Sequence, residues 1–234
     1  MNRRAFLKAG AAYSVMAAGV KVLAQDATTA PSAAGDLKPI TLLKPEKDGG
    51  KSVLAALWER KTNRNISDKA LPPQMLSNLL WAAWGVNRDD GRRTAASASN
   101  SQEIDLYVIM ADGAYLYDAA GHKLAPVASG DHRATVGRRG RGGGPLAPVR
   151  LVFVADLAKY ANGRPQEPGL KDPVIQASYY NVATGLIAGN VYLFAASQGL
   201  AAWFHNCNKP GLADVLKLRP DQKALFAQTI GYSA

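Results

Sequence analysis

Apolar positions along the chain fall into two rhythms. From Ser52 onward, Val53, Leu54, Leu57 and Trp58 recur at helical spacing and stop by Arg60, predicting a short amphipathic helix. Leu71-Pro72-Pro73 opens a second helix, since proline is tolerated in a first turn. Its apolar stripe is Met75, Leu76, Leu79, Leu80, Ala83 and Trp84, with Gly85 as the stop. Residues 104–110 and 149–155 are dominated by β-branched and other apolar side chains, which predicts strands, and 115–117 adds a short strand paired nearby. A short helix is expected over 212–218 and a last strand over 225–230. Polar residues gather at 97–102, and Arg and Gly at 137–144, both expected as loops.

The longest feature is negative: from Pro173 to Asn208 there is no Lys, Arg, Asp or Glu. The pattern predicts a helix to about Gly199. Gln176, Ser178, Asn181, Thr184, Asn190, Ser197 and Gln198 interrupt the run, which argues against a stable membrane span. A helix apolar nearly all round belongs in a core or a dimer interface. Gly185 and Gly189 would let another backbone approach closely. Helices and strands mix without regular βαβ alternation, so the expected class is α+β rather than a doubly wound parallel sheet. No glycine fingerprint follows a strand and no phosphate-binding Walker loop occurs, so the usual dinucleotide and nucleotide folds lose support.

The 234 residues are 47% hydrophobic and 20% charged, a globular composition. The N-terminus changes the picture. Asn2-Arg3-Arg4-Ala5-Phe6-Leu7-Lys8 matches the twin-arginine export consensus, followed by a short apolar stretch and Val22-Leu23-Ala24, a small-residue cleavage pattern. Residues 1–24 are therefore expected to be a signal peptide read by the twin-arginine translocase, which carries folded proteins to the periplasm. Residues 25–50, rich in Ala, Thr, Pro, Gly and Asp, are expected to be a flexible linker, leaving 51–234 as the domain. Removing 1–24 takes away four basic residues and no acid, lowering the net charge from +10 to +6. Residues 131–150 carry +4 of that, so the basicity is local and does not point to nucleic acid. A single cysteine, Cys207, excludes an intrachain disulfide and a cysteine-based zinc cage. His122, His132 and His205 lack metal-ligand spacing, and no metal site is expected.

Two constellations could carry chemistry. Arg60-Lys61-Thr62-Asn63-Arg64 sets two guanidiniums, an ammonium and a hydroxyl within five residues, able to grip a phosphate dianion or simply to end a helix in solvent. Ser97-Ala98-Ser99-Asn100-Ser101-Gln102, after Arg92-Arg93-Thr94, could bind the edge of a polar heterocycle or form an ordinary turn. Asn190, within the apolar helix, reads first as a satisfied core asparagine.

Taken in order, these segments resemble the nitroreductase-like FMN family. Arg60 to Arg64 resembles its Arg-x-Ser/Thr-x-Arg entry motif, and Ser97-x-x-Asn100-x-Gln102 its flavin loop. Gly189-Asn190-Val191-Tyr192-Leu193 with Ala195 to Leu200 resembles its long helix, and Gln228-Thr229-Ile230-Gly231-Tyr232 its terminal strand. Residues 79–94 resemble the branch that includes the thiazoline- and oxazoline-forming dehydrogenases. The resemblance implies a mostly antiparallel central sheet with flanking helices, and a long buried helix at a homodimer interface. It also implies FMN, held by Arg60, Lys61, Thr62 and Arg64 at its phosphate, ribityl chain or pyrimidine edge. Ser97, Ser99 and Asn100 would contact the flavin from the loop across the interface, and the Gly199 and Leu200 backbone would lie near its ring.

The implied reaction passes hydride or electrons through flavin N5 between a donor, NAD(P)H in many such enzymes, and a small nitro, quinone or heterocyclic substrate. No protein side chain is then expected to act as an essential acid or base. An export address argues for a donor found outside the cytoplasm. The alternatives are a non-catalytic flavin- or heterocycle-binding protein on the same fold, and a structural protein whose basic loop meets anionic polymers. The terminal Gly231-Tyr232-Ser233-Ala234 lacks the family's proline and the basic pair beyond it, so the expectation is either that FMN is held less tightly or that Arg92, Arg93 or Arg219 substitutes at the phosphate.

Overall fold

The computed structural model describes residues 37–137, 146–162 and 168–234. The signal segment, the first part of the linker and most of the Arg/Gly loop lie outside the described residues.

A seven-stranded sheet, antiparallel at every pairing, forms the centre. Its strands are β1 (Ile40–Thr41), β2 (Ile104–Ile109), β3 (Gly113–Asp118), β4 (Lys123–Ser129), β5 (Val149–Asp156), β6 (Ala201–His205) and β7 (Gln222–Gly231). Their order across the sheet is β1-β4-β3-β2-β5-β7-β6. The central strands β2 and β5 are buried along nearly their whole length, which is why they read as near-continuous apolar runs. Among the described residues there are five α-helices, α1 (Val53–Glu59), α2 (Pro73–Trp84), α3 (Arg133–Val136), α4 (Pro173–Ser197) and α5 (Lys209–Leu216), of which α1 packs on α4 and the others cover the sheet. The larger core joins α2 and α4 to one face through Leu79, Leu80, Trp84, Ile187 and Val191, against Leu106, Leu151 and Phe153. A smaller core under α3 and α5 covers the other face with Val136, Cys207 and Leu212.

The α+β class and the antiparallel sheet agree with expectation, and several elements differ in detail. Residues 37–50, expected as part of a flexible linker, lie against the domain. Ile40 pairs with Leu124, Leu42 is buried, and Leu43 O accepts bonds from Ser77 Oγ and His122 Nε2. Side chains of α2 and a loop histidine supply the holding groups, which is why composition does not reveal the contact. Strand β4 was not foreseen because it contains Pro126 and is polar at both ends; it pairs with β3 across a bulge at Ala114/Tyr115. Strand β6 hides inside the charge-free run that follows α4. Helix α5 starts earlier than the apolar residues suggest, because Asn208 Oδ1 caps it at Gly211 N and a proline sits in its first turn.

Helix α4 is two-sided in this chain. Ala183, Thr184, Ile187, Ala188 and Val191 are buried, while Val182, Gly185, Leu186 and Gly189 form an exposed stripe. A Cβ at Gly185 or Gly189 would meet nothing within 4 Å. Helix α1, capped by Ser52 Oγ, buries only Ala56; Val53, Leu54, Leu57 and Trp58 are exposed, Trp58 to 91%. Among the described residues, no helix is long and apolar enough to cross a membrane.

Candidate functional site

Strand β6 is the sheet's last strand, so its outward backbone groups need partners. The segment after α1 and Tyr192 of α4 supply them. Asn63 N–H donates to Ala202 O at 3.0 Å, and Phe204 N–H donates to Tyr192 Oη at 2.8 Å. Tyr192 Oη also shares a 3.1 Å hydrogen bond with Thr62 Oγ1. Asn63 Nδ2 reaches Ser233 Oγ at 2.7 Å, Ser67 N–H donates to Tyr232 O, and Ile66 bridges to Ser233. The stretch 62–67 is thereby stitched between β6 and the C-terminus.

This docking holds Arg60, Lys61, Thr62 and Arg64 at the surface. The Arg60 guanidinium lies over the Tyr192 ring, 5.3 Å from its centroid, and that of Arg64 over Trp203 at 5.5 Å. Among the described residues none of Arg60, Lys61 and Arg64 pairs with an acid, and the neighbouring Glu59 is taken by Lys51. Beside them is a cavity of about 150 Å³, lined by Lys61, Asn63, Tyr192, Gly199, Leu200 and Ser233. Gly199 turns the chain out of α4 at φ +69°, in the left-handed region, with open space where a Cβ would point. Lys61, Gly199 and Leu200, far apart in sequence, thus share one cavity, with Arg60, Thr62 and Arg64 in the segment alongside.

Ser97, Ser99 and Asn100 line a different cavity, of about 350 Å³, together with Arg88, Arg92 and Arg93. The loop is tightly wound: Ser99, Asn100 and Gln102 all have left-handed φ, at 49°, 56° and 51°. Non-glycine residues in that region cost free energy and persist only when the surroundings enforce them. Gln102 does much of the enforcing. Its N–H donates to Ser97 Oγ, its Nε2 to Gly91 O and Asn100 Oδ1, and its Oε1 accepts from Arg93 Nε at 2.7 Å. Arg93 also donates to Trp84 O and stacks on the Trp84 ring, and burial pushes its pKa down. Beneath the loop, fully buried Glu103 meets Ser101 Oγ at 2.7 Å.

Within one chain the two groups of predicted residues therefore occupy separate cavities. Tyr192, Asn63 and Gln102 sit within the same motifs, and their work is to hold backbone, which only the fold reveals. Asn190 donates to Thr94 O, as a satisfied helix asparagine would. Arg219, one expected substitute at the phosphate, pairs with Asp156 and Asp221 just before β7. The ten-residue β7 separates it from Gly231 by roughly 30 Å, so it is no substitute there.

A model of the nitroreductase family matches residues 57–232. A nitroreductase-family protein of Ralstonia eutropha JMP134 is 35% identical in its crystal structure, with a TM-score of 0.76, over 87% of this chain and 93% of that one. The nitroreductase-family protein MJ1384 of Methanocaldococcus jannaschii is 26% identical over 152 residues, 62% of this chain and 73% of its own. A chain of the Escherichia coli microcin synthetase McbBCD complex shares the fold at a TM-score of 0.63 and 18% identity, over 74% of this chain and 68% of that one.

Proposed function

The chain belongs to the nitroreductase family, and from that premise we propose that it is an exported FMN-dependent oxidoreductase working as a homodimer on small organic substrates. The observation that carries the reading is the docked cationic segment. Arg60, Lys61 and Arg64, which pair with no acid among the described residues, stand beside a cavity that reaches Gly199 and Leu200. That donor set suits a phosphate dianion: the arginines can bind it bidentately and the lysine as a point charge. The stacking of Arg60 and Arg64 on aromatic rings limits the freedom they would lose on binding. When bound, FMN supplies hydride acceptance and donation at N5. The chain's part is to bind, orient and shield: the 60–64 segment on the phosphate side, the Gly199-Leu200 turn at the ring, and the 97–102 loop from the second copy.

The second copy is supported by surface character. Val53, Leu54, Leu57 and Trp58 of α1 and Val182 and Leu186 of α4 are exposed apolar residues, and such patches mark interaction sites. Gly185 and Gly189 leave room for a backbone on the same side of α4. The twin-arginine motif at residues 3–4 supports a periplasmic location. In that compartment a redox-protein donor, or dehydrogenation of the substrate itself, fits better than free NAD(P)H.

The test is to titrate FMN into the purified mature protein, following flavin fluorescence, and then to supply reductants and nitroaromatic or quinone acceptors anaerobically. Saturable uptake at one FMN per chain followed by turnover is the expected result. Uptake without turnover by any donor would leave a flavin carrier instead, and failure to take up FMN would overturn the proposal.

A further inference from the structure

The cavity under the 97–102 loop carries more positive charge than a flavin-contacting loop requires. Arg88, Arg92 and Arg93 line it, and among the described residues one ion pair answers them, from Asp90 to Arg92 Nη1 at 3.2 Å, with Asp105 and Asp118 acting on Arg93 at longer range. Arg88 also borders the neighbouring groove, which Glu46 and Asp89 line together with Lys44 and Lys47; among the described residues neither acid forms an ion pair with Arg88. Arg93 is fixed behind the wall by Trp84 and Gln102. Arg88 is oriented but not neutralised. Its Nε donates to Asn87 Oδ1 at 3.0 Å and its Nη2 to Arg93 O at 3.1 Å, while Nη1 has no hydrogen-bond partner among the described residues. An oriented guanidinium with a free N–H edge, a second one half-occupied, and a third held behind them match a planar or tetrahedral oxyanion. The space, about 350 Å³, is that of a small-molecule pocket.

We propose that this cavity is the subsite for an oxyanion on the substrate, a carboxylate or a phosphate monoester, held by Arg88 and Arg92. The substrate class narrows accordingly to acid-bearing molecules. The inference rests on the flavin reading only in placing the cavity next to a flavin; the anion site itself is a property of the arginines. The cofactor's phosphate is assigned instead to Arg60, Lys61 and Arg64, which line a separate part of the surface.

The experiment is calorimetric titration of 4-nitrobenzoate, 4-nitrophenyl phosphate and the neutral methyl 4-nitrobenzoate into the FMN-loaded protein and into the same protein stripped of flavin. The two anions distinguish carboxylate from phosphate as the preferred group. At least one is expected to bind about tenfold or more tightly than the ester. R88Q and R92Q should each remove most of that preference while leaving ester binding and FMN affinity within about twofold. D90N, which frees Arg92, should strengthen anion binding, a gain that damaged folding cannot mimic. Equal binding of anions and ester, or no gain in D90N together with no loss in R88Q and R92Q, would overturn the proposal. So would a fall in FMN affinity in R88Q and R92Q, because the arginines would then serve the cofactor. Because the stripped protein is titrated in parallel, a protein that takes up no FMN can still show or lack the anion preference.

Discussion

Replacing Tyr192 by phenylalanine removes one oxygen and keeps the ring beneath Arg60. That oxygen has two partners: it accepts from Phe204 N–H at 2.8 Å and shares a bond with Thr62 Oγ1 at 3.1 Å. The two losses differ in cost. Thr62 is exposed, so water takes over its bond and the net cost is near zero. Phe204 N–H is half-buried on the outer side of the sheet's last strand, and leaving it unpaired costs about 1–3 kcal/mol. For a domain of this size that lowers Tm by roughly 2–12 °C. The same hydroxyl steadies Thr62 in the cationic segment, so FMN should also bind several-fold more weakly in Tyr192→Phe. Thr62→Val should weaken FMN but leave Tm within about 2 °C. Thermal melts and FMN titrations of both single variants and the double variant form a cycle that isolates the coupling. If Tyr192→Phe melts like the parent and binds FMN equally well, the edge-capping account of the site is wrong.

Other expectations follow from separate features. Arg60→Gln removes one charge-assisted partner of the phosphate and should raise the FMN Kd by about tenfold to a hundredfold, with a weaker salt dependence than the parent. Trp58→Glu on the exposed face of α1 should weaken self-association by about a hundredfold in sedimentation experiments, with secondary structure intact by circular dichroism. Burial pushes the His122 pKa below its ordinary value and outweighs the Leu43 carbonyl, which accepts from Nε2 and by itself favours the protonated ring. The unfolded chain therefore takes up the proton first as pH falls. Stability is full above the ordinary histidine value and declines below about pH 6.5. Burial lowers the pKa of His205 as well, so in urea unfolding at about pH 7.5 and 5.5, His122→Gln should flatten only part of the decline.

Much of the fold was legible because its central elements are buried on both faces or along one stripe. Strands β2 and β5 announce themselves as near-continuous apolar runs, α2 by its apolar stripe and α4 by its long stretch without charge. Elements at the sheet's margin did not. Strands β1, β4 and β6 are short, polar or embedded in a longer apolar run, and their pairing depends on partners distant in sequence. The site divides the same way. The charges at 60–64 and the polar loop at 97–102 stand out as residue types. The side chains that hold them, Asn63, Tyr192 and Gln102, are ordinary residues whose importance lies in which backbone groups they reach. The exposed face of α1 reverses the usual lesson. Its apolar stripe predicts a helix correctly, yet within one chain the stripe faces outward rather than into the core.

The most direct test of the account is the absorbance spectrum of the purified, folded protein, with the flavin released on denaturation identified and counted. A yellow protein carrying FMN at close to one per chain, or a colourless one that reaches that ratio when FMN is added, is the expected result. A colourless protein that refuses added FMN would contradict it, leaving a nitroreductase-family scaffold without the cofactor on which the proposed chemistry depends.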